Sequence, residues 1–141
     1  MRFFKLQPEV AGGLGARTIM DTTVHPPTVS VLEYEFDGWL GDDLLESFPC
    51  FILSERVKNL LQENDFTGYV FDNVIISKSD TFNEIYPDLE LPDFYWLKID
   101  GKAGVDDTGL SESNHLVVSE GFLKILLQFN LKNCLTDEYS P

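Results

Sequence analysis

The stretch "FILSERVKNLLQEN", Phe51–Asn64, is written to the same plan as "LVVSEGFLKILLQFN", Leu116–Asn130. Each runs three apolar residues, then Ser-Glu, then apolar residues at helical spacing. A shift of 65 positions sets Ser54 on Ser119, Glu55 on Glu120, Val57 on Phe122, Leu60 on Ile125 and Leu61 on Leu126. A short apolar run followed by a 3.6-residue period reads as a strand leading into an amphipathic helix. Each helix has one apolar stripe only, so each needs a sheet face to lie on. The expectation is an α+β fold of one domain. A mixed or mostly antiparallel sheet is covered by helices at about Glu55–Asn64 and Glu120–Phe129. The echo over 50–77 and 115–139 fits an internal repeat by duplication, and equally two independent strand-to-helix units.

Met1–Leu6 and "FYWLKI" read as strands, and "YVFDNVIIS" as another by its β-branched and aromatic content. "VSVLEYEFDGW" alternates, with Leu32, Tyr34 and Phe36 inward and Glu33, Glu35 and Asp37 outward. "GDDLLESF" suggests a short helix with Asp42 or Asp43 at its start. Residues 7–28, rich in Gly, Pro and Thr, read as mostly loop, and Thr81–Leu91 as an acidic connection. "DGKAGVDDTGLSESN" is a polar loop, and "NCLTDEY" a last strand.

The repeated Ser-Glu invites a nucleophile, but a serine nucleophile needs a base within reach, and neither His25 nor His115 is tied to it by spacing. Serine ahead of an apolar periodic run is a favoured helix N-cap, and the following Glu faces the positive end of the helix dipole. "GGLGAR", Gly12–Arg17, lacks the Lys-Ser/Thr ending of a phosphate loop. In "DGKAGVDDTG" Lys102 stands where a calcium loop wants Asp or Asn. Cys50 and Cys134 lack zinc spacing and read as reduced core thiols. No catalytic set, metal site or cofactor motif emerges.

Charge is the strong compositional signal: 24 acids against 10 bases, a net of −14. Such a field repels nucleic acid and anionic membrane and steers basic partners. No apolar run approaches the roughly 20 residues of a membrane span, and the N-terminus lacks the apolar stretch of a secretory signal. The expectation is a soluble cytoplasmic protein. Glu33 to Glu46 holds six carboxylates and no base, and Asp80 to Glu112 holds nine acids against two lysines. Trp39 follows the alternating strand among these acids, where an exposed ring would suit a basic partner.

The pieces "FILSERVKNLLQENDFTGYVFDNV", "LVVSEGFLKILLQFNLKNC" and "YWLKIDGKAG" cover about half the chain. In them the sequence resembles bacterial immunity proteins of polymorphic-toxin and contact-dependent growth inhibition systems. The second piece departs from the first by Asn133 where Gly68 stands, a residue that also tolerates the left-handed conformation. The resemblance implies a protein that binds and neutralises a cognate toxin domain without catalysis. Charge makes that domain basic, of nuclease type, and the expected contacts are Glu33, Glu35, Asp37, Trp39, Asp42, Asp43, Asp106 and Asp107. Two other classes remain open here: an adaptor or regulatory binding module unrelated to toxins, and a hydrolase using carboxylates at a metal.

Overall fold

Cys50–Ser54 is a strand that runs straight into a helix at Glu55, and Leu116–Ser119 runs likewise into a helix at Glu120. The computed structural model describes residues 1–141. In chain order its strands are β1 (Phe3–Gln7), β2 (Gly12–Leu14), β3 (Ile19–Asp21), β4 (Thr28–Val31), β5 (Glu33–Phe36), β6 (Leu44–Ser47), β7 (Cys50–Ser54), β8 (Tyr69–Asp72), β9 (Ile75–Lys78), β10 (Phe94–Ile99), β11 (Thr108–Leu110), β12 (Leu116–Ser119) and β13 (Leu135–Tyr139). The helices are α1 (Glu55–Gln62), α2 (Asp80–Ile85) and α3 (Glu120–Leu126). The fold is α+β with mostly antiparallel sheets, as the repeated stretches suggest. No helix is long and apolar enough to cross a membrane.

Two four-stranded sheets share one layout, β6-β7-β10-β8 and β11-β12-β1-β13. Each reads: edge strand, strand leading into a helix, inserted strand, strand following the helix. The inserted strand always comes from the other half of the chain. β1 sits in the sheet built around the second repeat, and β10 in the sheet built around the first. The 65-residue offset continues into the outer strands, because Lys98 pairs with Val70 as Gln7 pairs with Leu135. α1 and α3 pack on their own sheets and on each other. Val57 and Leu61 meet Phe122, Leu123 and Leu126 in one core, together with Leu6, Leu53, Leu97 and Val118.

In the β6-β7-β10-β8 sheet, β6, β7 and β10 are covered on both faces. Leu44, Phe51, Leu53 and Leu97 face the helix core, while Leu45, Cys50, Ile52, Phe94 and Trp96 face a second one. A three-stranded sheet, β2-β5-β9, and α2 close that second core with Leu32, Tyr34, Phe36 and Phe82. Leu32, Tyr34 and Phe36 thus point inward as their alternation predicts.

Several local expectations are corrected. Residues 44–47 form β6 and not a helix, because Leu44 and Leu45 serve opposite cores in a hairpin with β7. Residues 7–28 contain β2, β3 and the start of β4. "YVFDNVIIS" is two strands in two sheets, broken at Asn73–Val74. The Thr81–Leu91 connection carries most of α2, whose N-cap Ser79 accepts the Phe82 N–H. The polar loop after Ile99 contains β11. α3 ends at Leu126, short of Phe129. Asn133 does not adopt the left-handed backbone of Gly68, where φ is 97°; the one non-glycine residue with positive φ is Asn114.

Candidate functional site

The repeated serines stand at the N-caps of α1 and α3, but their hydroxyls do different work. Ser119 Oγ accepts the Phe122 N–H at 3.3 Å and donates to Asp107 Oδ1 at 2.7 Å. Ser54 makes no side-chain cap; its hydroxyl donates to Asp43 Oδ1 at 2.6 Å. The cap expected at Ser54 is therefore corrected: its hydroxyl is directed to the buried Asp43 carboxylate and accepts no N–H from the first turn of α1. Neither serine hydrogen-bonds a His or Lys.

Asp43 and Asp107 are equivalent residues, each standing just ahead of the edge strand that pairs with the helix-leading strand. Asp43, 3% exposed, also accepts both ends of the Arg56 guanidinium, at 2.8 and 2.6 Å, and the Asn130 N–H at 2.8 Å. Burial pushes its carboxyl up, but the hydrogen bonds from Arg56, Ser54 and Asn130 outweigh that and hold it below the usual range. Asp107 receives the Thr67 N–H at 2.9 Å, and Asp106 the Lys102 N–H at 2.7 Å. These aspartates fasten loops.

The same holds for Asp42 and Glu33. Asp42 is fully buried and takes the Asn133 backbone and side-chain amides at 2.8 and 3.0 Å. Glu33 is 5% exposed, because residues 15–18 fold over the outer face of β5. The Arg17 N–H and guanidinium and the Ser77 hydroxyl converge on it, and these bonds pull its carboxyl down to about 2. As open partner contacts Glu33, Asp42 and Asp43 are therefore corrected, since they are buried with their oxygens engaged inside the fold, whereas Asp106 and Asp107 are half-buried and hold their loops from the surface. Trp39 is half-buried, edge-on to Phe94 with ring centroids 6.0 Å apart, and donates Nε1–H to Asp42 O at 2.8 Å. It is a wall of the second core more than a free ring.

Two expected residues, Glu35 and Asp37, remain exposed, and the fold gives Asp37 neighbours that sequence reading missed. Ser79 N–H donates to Phe36 O, which seats the start of α2 beside Asp37. The Tyr86 ring lies over Gly38, where even a methyl group would meet it at 3.2 Å. Asp80, Glu84, Asp88, Glu90 and Asp93, all exposed, are carried on and after α2. The one sequence signal for this placement is Ser79, a cap residue ahead of a short polar run.

Next to Asp37 lies an open hollow of about 280 Å³ lined by Glu9, Val10, Asp37, Trp39, Leu40 and Tyr86. Val10 and Leu40 are about two-thirds exposed, at 67% and 70%, and Tyr86 and Ile85 are also exposed. Glu9 is buried beneath them and accepts the Leu40 N–H at 2.8 Å. Burial raises its carboxyl despite that bond and the one from the Asp42 N–H. Exposed apolar side chains among unpaired carboxylates suit a protein partner of opposite charge. No group of three or more His, Cys, Asp or Glu side chains is placed to hold a metal ion.

No protein-family model matches this chain, and no curated protein and no solved structure matches it either.

Proposed function

We propose that this protein is a bacterial immunity protein, acting in the cytoplasm by binding a cognate basic toxin domain of nuclease type and occluding its active site. The observation that carries the reading is the acidic face just described. Asp37 stands beside the start of α2, residues 80–93 carry five exposed carboxylates, Leu40, Ile85 and Tyr86 are exposed as well, and Glu35 is exposed on the outer side of β5. A net charge of −14 speeds encounter with a cationic protein, and close charge pairs then hold it. The likeness of the repeated stretches to immunity proteins supports the same reading. A nuclease active site is cationic because it binds a polyanion, so an acidic surface competes for the same charges. Co-expression with the toxin encoded immediately upstream tests this. Survival of the cells and loss of nuclease activity in the purified complex are expected, while full toxicity despite abundant soluble protein overturns the reading.

A further inference from the structure

β9 is the outer strand of the β2-β5-β9 sheet, paired to β5 in parallel with Tyr34 opposite Ile76 and Phe36 opposite Lys78. Ile75 N–H donates to Leu32 O and Ser79 N–H to Phe36 O, both at 2.9 Å. Residues 75, 77 and 79 thus turn their backbone groups towards β5. By the alternation of a strand, Ile76 and Lys78 turn N–H and C=O the other way. No turn, loop or side-chain group bonds them there.

Along that open edge runs a groove of about 720 Å³. Val74, Ile76, Leu91 and Phe94 make its apolar lining, all of them part of or packed on the second core. Glu90 and Asp93 stand on its rim, exposed. Lys78 also lines the groove, its ammonium 3.1 Å from Leu89 O and over the Phe82 ring, so two carboxylates stand there against one ammonium. Of the devices that keep strands from pairing, the edge has no proline and no bulge, and its one lysine is drawn to Leu89 O.

We propose that this groove is a docking site for an extended basic segment of a partner protein, which adds as a strand along β9. Its backbone pairs with Ile76 and Lys78, alternate apolar side chains settle on Val74, Leu91 and Phe94, and a Lys or Arg meets Glu90 and Asp93. Edge addition of this kind draws its affinity from main-chain hydrogen bonds and its specificity from alternate side chains. The charge excludes a second copy of this chain as occupant, since two acidic rims would face each other. The proposal deepens the toxin reading by naming how the toxin domain is held, yet the groove's geometry stands without it.

The test uses the full chain, ¹⁵N-labelled, and a capped nine-residue peptide of alternating Lys and Val. The Ile76 and Lys78 amides should exchange freely in the free protein and slow about tenfold or more with peptide bound. Resonances of Phe94 and Tyr95 should shift with them. Lys78→Pro removes one outward N–H while leaving the ladder to β5, as an edge strand tolerates, and should weaken peptide binding about tenfold. Glu90→Lys with Asp93→Lys should weaken it too, and should spare a Thr-Val peptide of equal length. Peptide shifts that map to Asp37 and Glu84, equal affinity for Lys78→Pro, or a dimer through β9 would overturn the proposal. If Lys78→Pro fails to fold, the exchange of the native amides decides alone. A toxin that binds without protecting Ile76 removes the groove only; a peptide that binds where the toxin does not removes the toxin reading only.

Discussion

The Ser54 hydroxyl lies 2.6 Å from Asp43 Oδ1, and both residues are buried, so the first repeated serine serves a carboxylate where its counterpart Ser119 also caps a helix. Asp43→Ala would leave the Ser54 hydroxyl and the Asn130 N–H without partners in the interior. Each such loss costs roughly 1–3 kcal/mol, so urea unfolding should show a destabilisation of about 2–4 kcal/mol. Asp107→Ala strands a buried hydroxyl at Ser119 but only an exposed amide at Thr67, and about half that effect is expected. Equal effects would show that the two aspartates do not differ as their surroundings imply.

Leu126 is 1% exposed between the two helices, whereas Ile125 is only half-buried at their edge. Leu126→Ala should cost about 2–5 kcal/mol through lost burial and the cavity left behind. Ile125→Ala should cost clearly less, and chemical denaturation of the two variants compares them directly.

Glu33 titrates at about 2 in the fold against an ordinary 4.5, because Arg17 and Ser77 bind its charged form. A depressed carboxyl stabilises the fold above its unfolded value and loses that contribution as pH falls through the folded one. Asp43 acts in the same direction, while Glu9 and Glu46, raised by burial, act in the opposite one. The stability difference between wild type and Glu33→Gln should therefore be full at pH 6 and shrink as pH falls from 4.5 through about 2. A difference that stays constant over that window would remove Glu33 from the acid response.

α1 and α3 are legible in the sequence because their apolar stripes are periodic and their starts carry Ser-Glu. α2 is six residues with one buried side chain, Phe82, too short for a period to show. β6 misleads because Leu44 and Leu45 are adjacent apolar residues, a pattern that a strand buried on both faces shares with a helix. Glu33 misleads for a different reason. Alternation correctly puts it on the face opposite Tyr34, but only the long-range closure of residues 15–18 decides that this face is covered. Acid-rich segments are visible in composition; which acids stay open is decided by partners as distant as Asn130 and Asn133. The exposed face at Asp37 and α2 is half legible, since its acids are evident and their meeting depends on Ser79 and Phe36.

Receipt of a basic toxin domain is proposed for the exposed acids, and not for the buried ones. Its most direct measurement is the association rate of the upstream-encoded toxin domain with the triple variant Glu35→Lys, Asp37→Lys, Glu84→Lys, followed by stopped flow at low and high salt. A rate lower by about tenfold or more is expected at low salt, converging with wild type as salt screens the charges. A rate that matches wild type at low salt would contradict it.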